Sequence, residues 1–139
     1  FASGTGTTHA GLVCGQIKNK DDRKIIGISI ARKNPRGRNI VLDSIREYMP
    51  DADESELQQK TIFIDRFTGE GYGKENPEIE NTIKECMVKY GIPMDSTYTA
   101  KAFLGMRKHI EAEKLKEKKI LFIHTGGTPL FFDDMEKWK

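Results

Sequence analysis

The sequence predicts an α/β protein of three layers, in which helices cover both faces of a mostly parallel sheet. Three observations point to this class. Short apolar runs rich in β-branched residues alternate with longer segments of helical spacing. Loops rich in glycine and threonine follow these runs. The length of 139 residues fits one domain that buries a core of its own.

The strands are predicted from three apolar runs, at residues 24–31, 61–65 and 120–123. Phe1 and Ala2 are expected to end a further strand, because a glycine-rich loop follows them directly. The chain opens on these two residues without an initiator methionine. We therefore expect a piece of a longer polypeptide that begins just inside a strand.

The first helices are predicted from the spacing of apolar residues. The first predicted helix directly follows the opening loop. Residues 32–38 are predicted to form a basic loop after the next strand. A second helix extends from Ile40 to Tyr48 and is stopped by Pro50. Residues 51–59 are predicted as a polar loop with one helical turn.

The later helices have clearer boundaries. Pro77 opens a helix that Gly91 ends, as expected from the preferences of these residues for helix starts and ends. A long helix begins at Tyr98 or Thr99 and extends through Glu113. Residues 114–119, a run rich in lysine, are predicted to form a surface turn. A short helical tail that contains Trp138 is predicted at the end of the sequence.

Composition excludes several classes of partner. Hydrophobic residues make up 37% and charged residues 32%, the balance of a folded globular protein. The net charge of +2 gives no argument for nucleic acid or a membrane surface, and no apolar run approaches the length of a membrane span. Cys14 and Cys86 are predicted to be reduced core thiols of a cytoplasmic protein. No His, Cys or carboxylate pair has metal-ligand spacing, so we expect no metal site.

The opening loop is the strongest candidate for a binding site. Alternating glycines allow close approach of a ligand, and the helix behind them offers amides and a positive dipole end. The sequence therefore predicts a phosphate site, with a simple helix-starting turn as the alternative. Its residues are Ser3, Gly4, Thr5, Gly6, Thr7 and Thr8.

Two further loops are expected to converge on the first. Ligands of parallel sheets bind beyond the carboxyl ends of the strands. The loops with Tyr72 and Thr125 each follow a predicted strand, as does the opening loop. We therefore expect all three at one edge of the sheet.

A dinucleotide is one candidate ligand. Gly4 and Gly6 begin a GxGxxG-like pattern that lacks its third glycine. Arg32 and Lys33 stand where an acidic ribose partner is usual, which would suit NADP. This hypothesis gives no role to Tyr72 or the Thr125 loop.

A phosphate-bearing cofactor gives every loop a role, and here the combined pattern resembles a known family. The motifs are SGTGTTHAGL at 3–12, GYG at 71–73, DSTYTAK at 95–101 and HTGGTPLF at 124–131. In order and spacing they resemble the C-terminal part of the pyridoxal-phosphate enzymes that include D-cysteine desulfhydrase and 1-aminocyclopropane-1-carboxylate deaminase. The resemblance covers essentially the whole chain and about the last two-fifths of a member. It implies a fragment of a fold type II, tryptophan synthase beta-like enzyme.

The resemblance also implies roles for individual residues. Residues 3–8 would cradle the phosphate of pyridoxal phosphate, and Thr125 would hydrogen-bond the pyridine nitrogen. Tyr72 and Tyr98 match catalytic tyrosines that face the substrate. Thr99 matches a substrate-binding position.

The substrate is indicated by two of these positions. Ring-opening deaminases of the family carry Glu and Leu where this chain has Thr99 and Thr125. The resemblance therefore favours α,β-elimination of D-cysteine to pyruvate, sulfide and ammonia. Deamination of 1-aminocyclopropane-1-carboxylate, an NADP-binding module and a non-catalytic phosphate-binding scaffold remain alternatives. The chain departs from the usual motifs at Thr7, Ser96, Thr97 and Ala100.

The Schiff-base lysine of the family lies in its N-terminal part. Lys101 belongs to a helix motif and is expected to be structural. Residues 1–139 are thus predicted to form a single, partial C-terminal cofactor domain that is inactive alone. We expect the missing N-terminal part, a small amino-acid substrate and a second copy in a homodimer as its partners.

Overall fold

The computed structural model describes residues 1–69, 76–115 and 118–136. Within these ranges, strands and helices alternate over the first half, and only helices follow. The elements are β1 (Ala2–Ser3), α1 (Thr7–Lys18), β2 (Ile26–Ser29), α2 (Arg36–Tyr48), α3 (Glu54–Lys60), β3 (Ile62–Ile64), α4 (Pro77–Tyr90), α5 (Thr99–Ala112) and α6 (Thr128–Glu136).

The sheet is parallel, in the order β1-β2-β3. Ser3 of β1 lies opposite Ser29 of β2, and Ile28 of β2 lies opposite Ile64 of β3. The carboxyl ends of the strands therefore meet at one edge, which confirms the predicted parallel sheet.

Helices cover both faces of this sheet. Side chains alternate along a strand, so Phe63 faces one layer while Ile28 and Ile64 face the other. The first layer contains α1, α2 and α3, whose core residues are Ala10, Val13, Cys14, Val41, Leu42, Ile45 and Leu57. On the other face α5 packs through Ala102, and α4 packs outside α5 through Ile79, Ile83 and Cys86. The predicted α/β/α layering is confirmed.

The strand predicted at residues 120–123 is wrong. This segment is irregular, and no strand in the described ranges pairs with it. The exposed fraction of Leu121 is 83%, whereas Phe122 packs edge-on against Phe103 with ring centroids 5.2 Å apart. A segment rich in β-branched residues does not form a strand unless its backbone hydrogen-bonds to a neighbouring strand. The Thr125 loop thus follows an irregular segment instead of a strand.

Helix boundaries differ from the prediction in two places. The second helix begins at Arg36, inside the stretch predicted as a basic loop. The polar stretch 51–59 contains α3, whose N-terminus is capped by Asp53 accepting from the amide of Glu56 at 2.8 Å. In α4, Pro77 at the start and Gly91 at the end are confirmed, with Gly91 at φ 66°.

The two cysteines lie in the helical layers. Cys14 and Cys86 are buried free thiols, and burial raises the pKa of each. Among the described residues, no helix has the length and apolarity needed to cross a membrane, and no three His, Cys, Asp or Glu form a metal-binding group. The Tyr72 loop and Trp138 lie outside the described residues.

Candidate functional site

The opening loop leaves β1 at its carboxyl end and enters α1 at Thr7. Gly6 caps the helix in the left-handed region, at φ 99°, without a side-chain hydrogen bond to the first turn. That turn contains no acidic residue, while Thr5, Thr7 and Thr8 are exposed. The backbone amides of the turn, the positive dipole end and these hydroxyls together suit an anion.

Ser3 lies beneath this loop. Its side chain is buried, and its hydroxyl is 3.4 Å from Nδ1 of His9. The hydroxyl thus joins the end of β1 to the first turn of α1. It does not lie with the exposed hydroxyls of Thr5, Thr7 and Thr8.

His9 fills the space between the loop and the sheet. It is fully buried, and the ring of Phe1 meets it edge-on with centroids 5.2 Å apart. A Cβ on Gly27 would lie 2.4 Å from its Nδ1, so the ring is accommodated only by a glycine in β2. Burial is the main cause that lowers the pKa of His9 to about 4, so the ring is neutral at pH 7. A neutral, enclosed imidazole acts here as a support of the loop.

Two cations follow β2 and point to different loops. The Arg32 guanidinium donates to the Gly4 carbonyl oxygen in the opening loop. The Lys33 amine donates to the Asp65 carbonyl oxygen at 2.9 Å. A dinucleotide site that uses both cations at one phosphate is not favoured by this division.

Tyr98 lies at the start of α5, beside the opening loop. Its Cε1 atom is 3.7 Å from the position of a Cβ on Gly4. The structure thus brings together two motifs that are far apart in the sequence. Tyr98 is half-buried, so part of this residue remains accessible to solvent.

Asp95 fixes the backbone at Tyr98. Its fully buried carboxylate accepts from the amides of Thr97 at 2.9 Å and Tyr98 at 2.7 Å. It also accepts from the amide and the hydroxyl of Thr99, at 2.9 and 2.7 Å. This role was not among the sequence predictions, although an Asp just before a helical pattern is a typical helix-start signal.

Thr99 is buried, with an exposed fraction of 1%. Its hydroxyl donates to the Asp95 carboxylate and accepts from the Asp95 amide at 2.9 Å. The predicted contact of Thr99 with substrate stays a prediction, since its side chain would have to exchange one of these bonds to reach a ligand.

The Thr125 loop joins the same cluster. Thr125 is exposed, and Gly127 after it is at φ 88°. A Cβ on Gly127 would lie 2.2 Å from Oδ1 of Asp95. His124 adds a second tie, because its Nε2 is 2.8 Å from the Pro93 carbonyl oxygen. Asp95 therefore connects the Thr125 loop with the start of α5 and, through Tyr98, with the opening loop.

Lys101 is a buried lysine close to this cluster in sequence. Its amine donates to the Ile30 carbonyl oxygen at 3.2 Å, just beyond β2, and burial lowers its pKa. The bond holds α5 against the sheet, which agrees with the structural role expected for Lys101. Tyr72, the second predicted catalytic tyrosine, is in the loop outside the described residues.

The residues of the opening loop fit a phosphate ester. A Cβ on Gly6 would come within 3.1 Å of the Val41 side chain, so glycine keeps the loop close to α2. The exposed threonines of the loop carry neutral hydroxyls, and Arg32 brings a positive charge to the same loop. The Tyr98 ring lies beside this loop, whereas the binding roles of Tyr98 and Thr125 stay predictions.

Comparison with known proteins agrees with this chemistry. The sequence profile of the family "Pyridoxal-phosphate dependent enzyme" matches residues 1–126. D-cysteine desulfhydrase of Yersinia pestis (strain Pestoides F) is 34% identical over 132 residues, which are 94% of this chain and 40% of that enzyme. D-cysteine desulfhydrase of Klebsiella pneumoniae subsp. pneumoniae is 30% identical over the same shares.

A solved structure supports the fold assignment. The crystal structure of a homologue of 1-aminocyclopropane-1-carboxylate deaminase superposes with a TM-score of 0.81 at 31% identity. The match covers 98% of this chain and 41% of that protein. The chain thus spans about two-fifths of the length of the relatives it matches.

Proposed function

Because the chain belongs to the family of pyridoxal-phosphate dependent enzymes, we propose that it is the C-terminal cofactor-binding part of a longer lyase. The proposed reaction is α,β-elimination of a small amino acid. Its form for D-cysteine consumes one water and yields pyruvate, sulfide and ammonia. The similarity to two D-cysteine desulfhydrases supports this substrate.

The observation that carries the proposal is the proximity of Tyr98 to the opening loop. The Tyr98 ring lies 3.7 Å from the Cβ position of Gly4, and Asp95 links this start of α5 to Gly127. The tyrosine therefore lies next to a loop suited to phosphate, and the loop that carries Thr125 approaches the residue that fixes the start of α5. These are the components that the family resemblance implies.

Each group has a proposed task. The amides and hydroxyls at residues 3–8 would bind the phosphate, with Ser3 contributing through its backbone because its side chain faces His9. The bound cofactor supplies an electron sink for bonds at the substrate α-carbon. Thr125 would hydrogen-bond the pyridine nitrogen, and a neutral hydroxyl does not hold that nitrogen protonated. Tyr98, together with Tyr72, would exchange a proton with the substrate.

The proposal includes partners beyond this chain. The lysine that holds the cofactor covalently would come from an N-terminal part, so residues 1–139 would be inactive alone. Two copies of the complete enzyme would form a homodimer. The buried free thiols Cys14 and Cys86 support a cytoplasmic location.

The first test is borohydride trapping of the isolated chain with pyridoxal phosphate, followed by peptide mapping. Scattered or absent labelling is expected. Stoichiometric labelling of one lysine, such as Lys101, would show that the chain carries its own catalytic amine and would contradict the fragment proposal.

The second test uses a polypeptide that extends this chain at its N-terminus to the length of its relatives. We expect a yellow protein that releases sulfide from D-cysteine. Release of ammonia from 1-aminocyclopropane-1-carboxylate without sulfide from D-cysteine would instead support the deaminase alternative, which the similarity to the solved homologue favours. A protein that stays colourless with added pyridoxal phosphate would contradict both.

A further inference from the structure

We propose that Arg32 is a positioning residue of the opening loop, which holds the Gly4–Thr5 peptide so that the Thr5 amide N–H faces a bound phosphate. The inference rests on the proposed role of this loop in cofactor binding. It assigns to Arg32 a function that differs from the contact with a dinucleotide considered above.

The inference begins with the geometry of one peptide unit. The Arg32 guanidinium donates to the Gly4 carbonyl oxygen. In a trans peptide the carbonyl and the following N–H point in opposite directions. Fixing the Gly4 carbonyl on the Arg32 side therefore directs the Thr5 N–H away from Arg32, and Thr5 itself is exposed.

The same peptide has little intrinsic preference for this orientation. Gly4 has no Cβ, so rotation of the peptide next to it meets few steric barriers. A loop that samples both orientations would turn the Gly4 carbonyl oxygen, instead of the Thr5 N–H, toward an anion for part of the time. An external hydrogen bond from a cation removes this alternative.

The backbone at Arg32 is held by side-chain hydrogen bonds. The hydroxyl of Ser29, which is fully buried, donates to the Arg32 carbonyl oxygen at 2.6 Å and accepts from the Ala31 amide at 3.3 Å. Ser29 also lies opposite Ser3 in the sheet, so the residues after β2 run beside the loop after β1. The sheet register thus places the guanidinium next to Gly4.

Lys33 provides a matched control. It is adjacent to Arg32 and carries the same charge, but its amine bonds the Asp65 carbonyl oxygen on the other side, at 2.9 Å. Its removal lowers the charge of the region by one without touching Gly4. If the positive charge alone mattered, removal of either cation would weaken phosphate binding equally. If Arg32 positions the peptide, only its removal should weaken binding.

The experiment compares the chain with its Arg32→Met, Arg32→Lys and Lys33→Met variants, with circular dichroism to verify folding. In ligand-free ¹⁵N spectra, we expect one sharp Thr5 amide signal in the unmodified chain and in Lys33→Met. We expect a broadened or doubled signal in Arg32→Met. The Arg32→Lys variant should be intermediate, because an ammonium keeps the charge but lacks the fork of the guanidinium.

Binding is then measured by titration with pyridoxal phosphate and with pyridoxal, which lacks the phosphate. Arg32→Met should weaken pyridoxal phosphate binding about tenfold, as expected for a hydrogen bond from a charged group, and leave pyridoxal binding unchanged. Lys33→Met should stay within about twofold of the unmodified chain.

The outcomes separate this inference from the proposed function. An unchanged Thr5 signal in Arg32→Met, or equal weakening by Arg32→Met and Lys33→Met, would overturn the positioning role. If neither the unmodified chain nor its N-terminally extended form binds pyridoxal phosphate, the cofactor role of the loop fails, and the Thr5 signal still decides whether Arg32 orients the peptide. Should Arg32→Met not fold, Arg32→Lys is judged by the same two measurements.

Discussion

The ring of Tyr98 lies 3.7 Å from the position that a Cβ on Gly4 would occupy. This is ordinary van der Waals distance, so a methyl group at this position would contact the ring without displacing it. Ile30 bounds the same position from the other side, also at 3.7 Å. The separation between the opening loop and Tyr98 therefore accommodates a methyl group on Gly4, and we expect a larger side chain to displace Tyr98 or Ile30.

A Gly4→Val substitution tests this separation. The added γ-carbons would collide with Tyr98 and Ile30 and force the ring away, so pyridoxal phosphate should bind at least about tenfold more weakly. The cost in folding free energy should be about 1–3 kcal/mol, as for other overpacked sites. Gly4→Ala is the control and should bind nearly as the unmodified chain does. Equal binding by the Val variant would show that the ring does not limit the site.

Replacing Asp95 with asparagine should reduce the free energy of unfolding far more than the same substitution at an ordinary helix cap. Both of its oxygens accept from N–H groups, so the amide of Asp95→Asn must place an NH₂ against a backbone donor. We expect a loss of about 2–4 kcal/mol in chemical denaturation. The exposed cap Asp53 is the control, and Asp53→Asn should change stability by less than about 0.5 kcal/mol, since Asn caps helices as well.

Two alanine variants distinguish the effect of a steric clash with Asp95 from the effect of backbone strain. Both Gly126 and Gly127 have positive φ, at 120° and 88°, so alanine is strained at either position. A Cβ at Gly127 meets Asp95, whereas none of the described residues lies within 4 Å of a Cβ at Gly126. Thermal unfolding should therefore show a loss larger by about 1–2 kcal/mol for Gly127→Ala than for Gly126→Ala. Similar losses would mean that the loop moves freely over Asp95.

His9 should make stability depend on pH. The ordinary pKa of histidine, 6.5, applies to the unfolded chain, whereas the pKa of His9 in the fold is about 4, so the unfolded state binds the proton more readily. The contribution of neutral His9 to the free energy of unfolding is fully present above pH 6.5 and is lost as the pH falls toward 4. The loss should approach about 3 kcal/mol.

The measurement is urea denaturation of the chain and of His9→Gln at pH 4, 5, 6 and 7. Glutamine does not titrate, so the difference between the two proteins isolates the histidine. A constant difference across this range would contradict the burial of a neutral ring.

The sequence was sufficient for features that depend on local chemistry. Pro77 and Gly91 bound α4 as predicted, because their backbone preferences act within one turn. The opening loop precedes a helix, also as predicted. The prediction for residues 120–123 failed because a strand is defined by its partner, which composition does not reveal.

The connections within the site could not be predicted for the same reason. The bond from Arg32 to Gly4 depends on the register of β1 against β2. The approach of Gly127 to Asp95 joins residues of two separate motifs. The direction of the Ser3 hydroxyl follows from which face of the sheet it occupies, and only the packing of the helices on the two faces determines that.

The irregular segment at residues 120–123 has a practical consequence for handling the chain. Ile120, Leu121 and Ile123 expose 45%, 83% and 36% of their surface, which concentrates β-branched and aliphatic side chains on a stretch outside the sheet. Such stretches promote self-association into intermolecular β-structure. The apparent molar mass from light scattering of the isolated chain should therefore rise with concentration. Leu121→Lys should suppress this rise by adding a charge at the most exposed of the three positions.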